Sequence, residues 1–284
     1  MARPALSATR GLDIIDFLSS FPGRSFTLSE IMRASGINVA SCHAILAALA
    51  ARGYVRRDPE QKTFSLGPVL VAAGEAALRS QPMLARARDV ALDLARDLAV
   101  PVLLTAAVED EMVGIFSLPD PSGNRPKLAT GERRPMVPPL GAPFVAWGGE
   151  EAIAAWLVRG GHAGEAGFAA DQRRALGLIR ARGFQVLLRN PDSPRLAPEA
   201  GAGYKDRMIG QVDALGLVLL PETIAPDAHY DVILIAAPVF DRSGACAYNL
   251  CLGEFASRLS GSAMLAHAER LIAASLAIMQ AERG

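Results

Sequence analysis

Residues 27–57 read TLSEIMRASGINVASCHAILAALAARGYVRR, and this stretch decides the fold of the N-terminal part of the chain. Thr27, followed three residues later by Glu30, makes a T-x-x-E capping box, which predicts the start of a helix. Gly36 ends that helix, and a second helix is predicted over residues 39–51. A helix, a glycine turn and a further helix together form the pattern of a helix-turn-helix.

The segments on either side extend this pattern. Upstream, residues 10–21 repeat apolar side chains every three or four positions, which predicts a helix with Ser7 or Thr9 as its cap. Downstream, residues 54–57 and 63–66 are extended runs joined by a turn, which predicts a two-stranded wing.

The helix over residues 39–51 has two different faces. Cys42, Leu46 and their neighbours are predicted to pack inward, and the opposite side carries Ala40, Ala44, Ala47 and Ala51. In a helix-turn-helix the first turns of this helix enter the major groove, so it offers few polar groups and several methyl groups to bases. The basic residues that follow are better suited to phosphates. The candidate DNA-contacting residues are Thr27, Ser29, Asn38, Ser41, His43, Ala44, Arg52, Arg56, Arg57 and Lys62.

Composition supports a folded chain with a basic end. Hydrophobic residues make up 51% of the 284 residues and the formal net charge is zero. Residues 1–66 hold eight Lys and Arg against five Asp and Glu, so the positive charge is concentrated there, although such a surplus is also common in ordinary domains. Three cysteines give no disulfide framework and no metal-binding pair, and no signal sequence or membrane span is recognisable. We therefore expect a cytoplasmic protein without a cofactor.

The remainder of the chain alternates helical and extended patterns. Helices are predicted over residues 68–80, 83–99, 154–159, 171–182 and 260–282. The final helix is expected to turn Leu265, Leu271, Ile272, Leu276 and Met279 inward. Strands are predicted over residues 102–108, 112–118, 127–129, 184–188, 231–240 and 245–252. Residues 190–230 are predicted to be an insertion with a helix over residues 204–215.

The N-terminal part of the chain resembles the winged helix-turn-helix of IclR-family transcription regulators. The resemblance is carried by RGLDIIDFL at residues 10–18 and by residues 27–70, which include the wing exit Leu66-Gly67-Pro68. AAPVFD at residues 236–241, followed by Gly244, also matches the family, which usually has Lys or Arg where this chain has Val39 and Ala44. The resemblance implies an α+β chain: a DNA-binding domain over residues 1–67, a linker helix over 68–81, and a GAF-like α/β effector-binding and oligomerisation domain over 82–284.

The resemblance also implies an effector site. In relatives, backbone amides of a turn before a helix and polar side chains of late strands hold small carboxylates. Carried over to this sequence, the site residues are Leu128, Met136, Pro139, Leu140, Gly141, Leu187, Val232, Leu234, Cys251 and Gly253. These residues are mostly apolar, and a proline has no amide hydrogen to donate. We therefore expect an apolar or aromatic effector, which could also carry a carboxylate. The alternative is that side chains fill the pocket and no effector binds.

No catalytic, phosphate-binding or metal-binding motif is present in the sequence. Arg133 and Arg134 are expected to face solvent rather than a ligand carboxylate, and the cysteines are expected to be packing residues. The expected partners are double-stranded operator DNA, a small-molecule effector, and further copies of the chain as a homodimer or a dimer of dimers. The alternatives are a ligand-sensing or scaffold protein with weak or lost DNA binding, and an enzyme. Whether the effector represses or activates stays open.

Overall fold

The computed structural model describes residues 5–161, 165–189, 217–219 and 222–280. The chain divides into two compact units. The first comprises Met1–Gln81 with Ala129–Glu132, and most of Pro82–Gly284 forms the second. The predicted helix over residues 204–215, like most of the predicted insertion, lies outside the described residues.

The first unit is a helical domain with a three-stranded sheet. Its elements are α1 (Leu6–Ser19), β1 (Phe26–Thr27), α2 (Leu28–Ser35), α3 (Val39–Ala51), β2 (Val55–Asp58), β3 (Thr63–Leu66) and α4 (Val69–Ser80). The antiparallel sheet has the order β1-β3-β2. Helices α2 and α3 meet at 111° around Gly36, whose left-handed conformation (φ 65°) ends α2. This is the predicted winged helix-turn-helix.

Its core is formed mainly by α1, α2 and α3. Ile14, Ile31 and Cys42 are fully buried there, together with Leu18 and Leu46. All are apolar side chains at helical spacing, so their burial against one another holds the three helices together.

The first helix differs from the prediction. It begins at Leu6, and its N-cap residue Ala5 forms no side-chain cap. Ser7 and Thr9 therefore lie inside the helix, where the Thr9 hydroxyl donates to the Ala5 carbonyl. Leu12, one of the apolar side chains of the repeat over residues 10–21, is 64% exposed.

Two glycines close the base of the wing. The Gly67 amide donates to the Tyr54 carbonyl (2.8 Å), and the Val69 amide donates to the Gly53 carbonyl (3.3 Å). A Cβ at Gly67 would lie 2.1 Å from the Gly53 oxygen. Only a residue without a side chain lets the two strand ends approach this closely.

The second unit is built on a seven-stranded sheet of order β6-β5-β4-β11-β10-β7-β8. The strands are β4 (Val102–Val108), β5 (Glu111–Leu118), β6 (Arg133–Pro135), β7 (Gln185–Arg189), β8 (Leu217–Leu219), β10 (Val232–Phe240) and β11 (Cys246–Gly253). A separate pair joins β9 (His229–Tyr230) to β12 (Leu259–Ser260). The helices are α5 (Pro82–Leu98), α6 (Ala142–Ala146), α7 (Glu150–Arg159), α8 (Ala166–Arg182) and α9 (Gly261–Gln280).

The two faces of the sheet carry different side chains, because neighbours along a strand point in opposite directions. Leu103 and Thr105 of β4 share one face with their partners Cys251 and Asn249 of β11. On the same face, Ala236 of β10 pairs with both Cys251 and Gln185. We call this the ligand face, because it also carries several residues of the predicted effector site.

Residues 127–129 do not form the predicted strand. The Ala129 amide donates to the Glu132 carboxylate (2.9 Å), and the Glu132 amide donates to the Ala129 carbonyl (3.1 Å). This turn uses the backbone groups that a strand would pair, and the short strand forms instead at Arg133–Pro135.

The inner face of helix α9 was predicted only in part: Leu271 is buried as expected, whereas Leu265, Ile272 and Met279 are half-buried. Met264, Ala268, Leu271 and Ile278 are buried, whereas Leu276 is 52% exposed. The Ser275 hydroxyl donates to the Pro238 carbonyl, so this side of the helix faces β10. By length and composition α9 resembles a membrane span, but it packs against β10 and α5 as a core helix.

Candidate functional site

The outer face of α3 is a row of alanines. Ala40, Ala44, Ala47 and Ala51 are all exposed, and Val39 at the start of the helix is 58% exposed. The inner face is closed by Cys42 and Leu46. The structure therefore orients α3 as its periodicity predicts.

Two of the polar residues proposed for DNA contact are used within the domain. The Ser41 amide donates to Asn38 Oδ1 (2.9 Å), so Asn38 caps α3. The Thr27 hydroxyl donates to Glu30 Oε2 (2.7 Å) and accepts from the Glu30 amide (3.3 Å). The side chains of Asn38 and Thr27 therefore stabilise helix starts, which reduces what they can offer to a base.

His43 and Ser29 are exposed, and Ser41 is half-buried. His43 lies on the flank of the alanine row, so it is the exposed polar side chain of α3 nearest to that row. Because an imidazole can both donate and accept, His43 retains a capacity for base readout.

The cations around α3 are exposed. Arg52, Arg56, Arg57 and Lys62 form no ion pair within the part of the chain that the structure describes. Arg56 and Arg57 are adjacent in β2 and so point to opposite faces, and the Arg57 guanidinium lies 6.0 Å from the centre of the Phe64 ring. Uncompensated cations at this position suit phosphate contacts.

Arg24 is a further exposed cation, and it is not among the residues predicted to contact DNA. Its guanidinium lies 4.9 Å from the Phe26 ring centre and 5.6 Å from that of Phe21. No sequence motif marks this arginine as a candidate for DNA contact. Its position beside the Phe21 and Phe26 rings becomes apparent only in the folded structure.

The ligand face gathers part of the predicted effector site. Leu128 and Cys251 pack with Leu103 and Ala236 in one buried cluster, against which Leu234 also lies. By register, Leu187 and Gly253 are the partners of Leu234 on either side. Val232 pairs with Leu188 beyond an irregularity in β10, so it does not continue the same alternation.

The remaining predicted residues form the turn before α6. The Pro138–Pro139 peptide bond is cis, and Gly141 has φ 76°. A Cβ at Gly141 would lie 2.8 Å from Met136 Cγ, so the turn packs tightly on itself. Met136 and Leu140 belong to a second cluster with Trp156.

Side chains from other elements hold the carbonyls of this turn. Gln185 Nε2 donates to the Pro139 carbonyl (3.0 Å), and Trp156 Nε1 donates to the Leu140 carbonyl (2.8 Å). Arg159 Nε likewise donates to the Met136 carbonyl (3.0 Å). The turn is thereby fixed at the edge of the ligand face.

Three buried polar residues of the ligand face were missed by sequence reasoning: Thr105, Gln185 and Asn249. Thr105 and Asn249 lie directly opposite each other on β4 and β11, and each is 3% exposed. Thr105 Oγ1 and Asn249 Oδ1 have no hydrogen-bond partner among the described residues. The available signal was a single polar residue inside an otherwise apolar strand.

A charged cleft of about 270 Å³ opens beside Val232. It is lined by Lys127, Arg189, Asp231, Glu254 and Arg258, among others. Lys127 lies 3.6 Å from Glu254, and Arg189 lies 3.5 Å from Asp231. Four of these charges compensate one another in two pairs, and Arg258 gives the five residues a net charge of +1.

The other titratable candidates are structural. Burial raises the pKa of the Cys246 thiol to about 12, and burial also raises the pKa of the Cys251 thiol. Both thiols are therefore protonated at neutral pH and poor nucleophiles. Arg133 does not face solvent as expected, because it lies 3.3 Å from Glu111 in a half-buried ion pair. Among the described residues no group of three or more His, Cys, Asp or Glu side chains is arranged to hold a metal.

Known proteins resemble this chain both in the helix-turn-helix and in the overall fold. A family model described as the IclR helix-turn-helix domain matches residues 7–59. The glycerol operon regulatory protein of Streptomyces griseus is 26% identical over 259 residues, which cover 90% of this chain and all of that protein.

Solved structures share the fold over almost the whole chain. An IclR transcriptional regulator from Alicyclobacillus acidocaldarius has a TM-score of 0.74 at 20% identity, covering 99% of this chain and 100% of its own. An IclR homolog from Microbacterium hydrocarbonoxydans, complexed with 4-hydroxybenzoate, has a TM-score of 0.59 at 18% identity, covering 98% and 99%.

Proposed function

Because the chain belongs to the IclR family of transcriptional regulators through its helix-turn-helix domain, we propose that it binds an operator in the cytoplasm. It binds as a homodimer or a dimer of dimers. A small-molecule effector controls this binding. The observation that carries the proposal is the exposed outer face of α3, flanked by Arg52, Arg56 and Lys62, which have no ion pairs among the described residues. The phosphate contacts supply affinity, and the face of α3 meets the major groove.

The test is binding of the full chain to the DNA upstream of its own gene, measured by fluorescence anisotropy at two salt concentrations. Affinity is expected to fall steeply with salt, because each phosphate contact releases counterions. Arg56→Ala should weaken binding, whereas Arg96→Ala, which removes an exposed arginine of α5 in the second unit, is the matched control. Absence of binding at low salt would refute the DNA-binding role.

For the effector we propose a largely apolar molecule that carries a hydroxyl group, bound on the ligand face. Leu128, Leu234 and Cys251 supply apolar contacts. The oxygens of Thr105 and Asn249, unpartnered among the described residues, supply polar ones: Asn249 Oδ1 accepts a hydrogen bond, and the Thr105 hydroxyl donates or accepts. Buried polar groups are nearly always satisfied in the functional state, so a ligand hydroxyl fits this pair.

The fold relative complexed with 4-hydroxybenzoate motivates the choice of probes. Thermal denaturation is measured with 4-hydroxybenzoate and with benzoate, which differ by the hydroxyl alone. A ligand present at a hundred times its Kd stabilises the folded state by about 2.7 kcal/mol. Stabilisation by the hydroxylated probe alone is expected, and equal stabilisation by both would remove the hydroxyl from the proposal.

A further inference from the structure

Helix α3 exposes fewer hydrogen-bond donors and acceptors than a helix that reads bases by hydrogen bonds. Ala40, Ala44 and Ala47 are four and three residues apart, so their methyl groups form one exposed row along the helix. Val39 adds a further apolar side chain at the N-terminal end. Side chains on this row have no donor and no acceptor.

The polar residue best placed to compensate is already engaged. Asn38 precedes the row, but its side-chain oxygen caps the helix by accepting from the Ser41 amide. Asn and Gln read adenine with both amide atoms at once, and the cap removes one of the two. His43 remains, on the flank of the row.

The major groove presents one apolar group in unmodified DNA, the C5-methyl of thymine. Alanine methyls are suited to contact it, and a short side chain lets the helix approach the base edges closely. On the basis of the proposed DNA-binding function, we propose that α3 recognises its site chiefly through C5-methyl groups, with Ala40, Ala44 and Ala47 as the contacting residues.

The test uses duplexes selected by the full chain from a random-sequence library. In the selected duplex, each thymine is replaced singly by deoxyuridine, which removes the methyl group and leaves every hydrogen-bonding group in place. Burial of one methyl group is worth about 0.8 kcal/mol, so affinity should fall about fourfold at each contacted thymine. Replacing that thymine's base pair with one bearing 5-methylcytosine should retain more affinity than the same pair with unmodified cytosine.

Variants assign the contact to the alanine row. In Ala44→Gly the deoxyuridine penalty should disappear at one position, because the protein methyl that met the thymine methyl is absent. Ala72→Gly is the matched control, because Ala72 is an exposed helical alanine that lies on α4 rather than on α3, and the substitution causes the same loss of helix propensity. Its deoxyuridine penalties should be those of the unmodified chain.

The possible outcomes separate this inference from the function on which it rests. Selected duplexes that bind equally well with deoxyuridine at every position would overturn methyl recognition while leaving DNA binding intact. Equal loss of the penalty in both glycine variants would overturn the assignment to the row. Failure to enrich any duplex would overturn the proposed function, and methyl recognition with it.

Discussion

Two buried hydroxyls in the second unit have opposite surroundings. Thr105 Oγ1 has no partner among the described residues, whereas the Ser275 hydroxyl donates to the Pro238 carbonyl. Both side chains are almost completely inaccessible. An unsatisfied buried polar atom costs about 1–3 kcal/mol, whereas a satisfied one contributes about 1 kcal/mol.

Replacing these hydroxyls should therefore change stability in opposite directions. Thr105→Val should raise the free energy of unfolding by about 1 kcal/mol in the absence of effector, and Ser275→Ala should lower it by about the same amount. Urea denaturation of the ligand-free chain measures both. A loss of stability in Thr105→Val would mean that the hydroxyl already has a partner and is not reserved for a ligand.

The capping box of α2 gives the first unit a dependence on pH. Hydrogen bonds from the Thr27 amide, then from its side chain, hold the pKa of Glu30 below its ordinary value of 4.5. Because the folded-state pKa is lowered, this contribution is complete above pH 4.5 and is lost as the pH falls through the folded value.

Thr27→Ala should cost about 1 kcal/mol of stability at pH 7. Below about pH 4.5 the difference in stability between this variant and the unmodified chain should shrink. The reason is that a protonated Glu30 carboxyl is a weaker acceptor for the Thr27 hydroxyl than the carboxylate. Urea denaturation at about pH 7 and about pH 3.5 checks this, and a difference that is equal at the two values would contradict the role of Glu30.

At the scale of elements, the wing depends on two backbones in contact. Gly67→Ala would place a Cβ 2.1 Å from the Gly53 oxygen, so the strand ends must separate. Overpacking of this kind typically costs about 1–3 kcal/mol. A Cβ added to Gly74 in the exposed helix α4 would have nothing within 4 Å, so Gly74→Ala should stabilise by about 0.5–1 kcal/mol. Thermal unfolding should show the two substitutions moving Tm in opposite directions.

Elements whose bounds and faces depend on local chemistry could be predicted from the sequence. The capping box, Gly36 and the apolar spacing of α3 specify the helix-turn-helix, because caps and periodicity act over three or four residues. For helix α9 the inward position of Leu271 was predicted correctly and that of Leu276 was not, and the buried Ala268, Ala274 and Ser275 were missed, because apolar spacing does not single out small side chains. The predicted strand at residues 127–129 failed because the Glu132 side chain accepts from the Ala129 amide.

The two candidate sites were predictable to different degrees, because sequence patterns reveal only residues that lie close together along the chain. The exposed cations lie close together along the chain, so the sequence places them on one domain. Thr105 and Asn249 are far apart in sequence and meet only through strand pairing. Their shared environment is a property of the sheet register, which no local pattern reveals.

At the scale of the whole molecule, a formal net charge of zero means that attraction to DNA must be local. The positive surplus lies in residues 1–66, and the remaining residues carry a matching negative surplus. The acidic body should disfavour non-specific coating of DNA while the basic domain engages one site.

Salt dependence tests this arrangement. The slope of log K against log salt should fall in magnitude by about 0.9 for each phosphate contact removed, so Arg52→Ala and Arg56→Ala should each reduce it by about one if both touch the backbone. His43→Ala should leave the slope unchanged and relax preference at one base pair. An altered slope in His43→Ala would place the imidazole on a phosphate.

The turn before α6 has a practical consequence. Its carbonyl groups are held from outside by Gln185, Trp156 and Arg159, so its backbone position does not rely on its own side chains. Although Leu140 packs against the cluster that contains Trp156, we expect its exchange for another apolar residue to leave this backbone frame in place. An engineer seeking a biosensor for a new analyte would diversify Leu140 together with Thr105 and Asn249, and would leave the three anchoring side chains untouched.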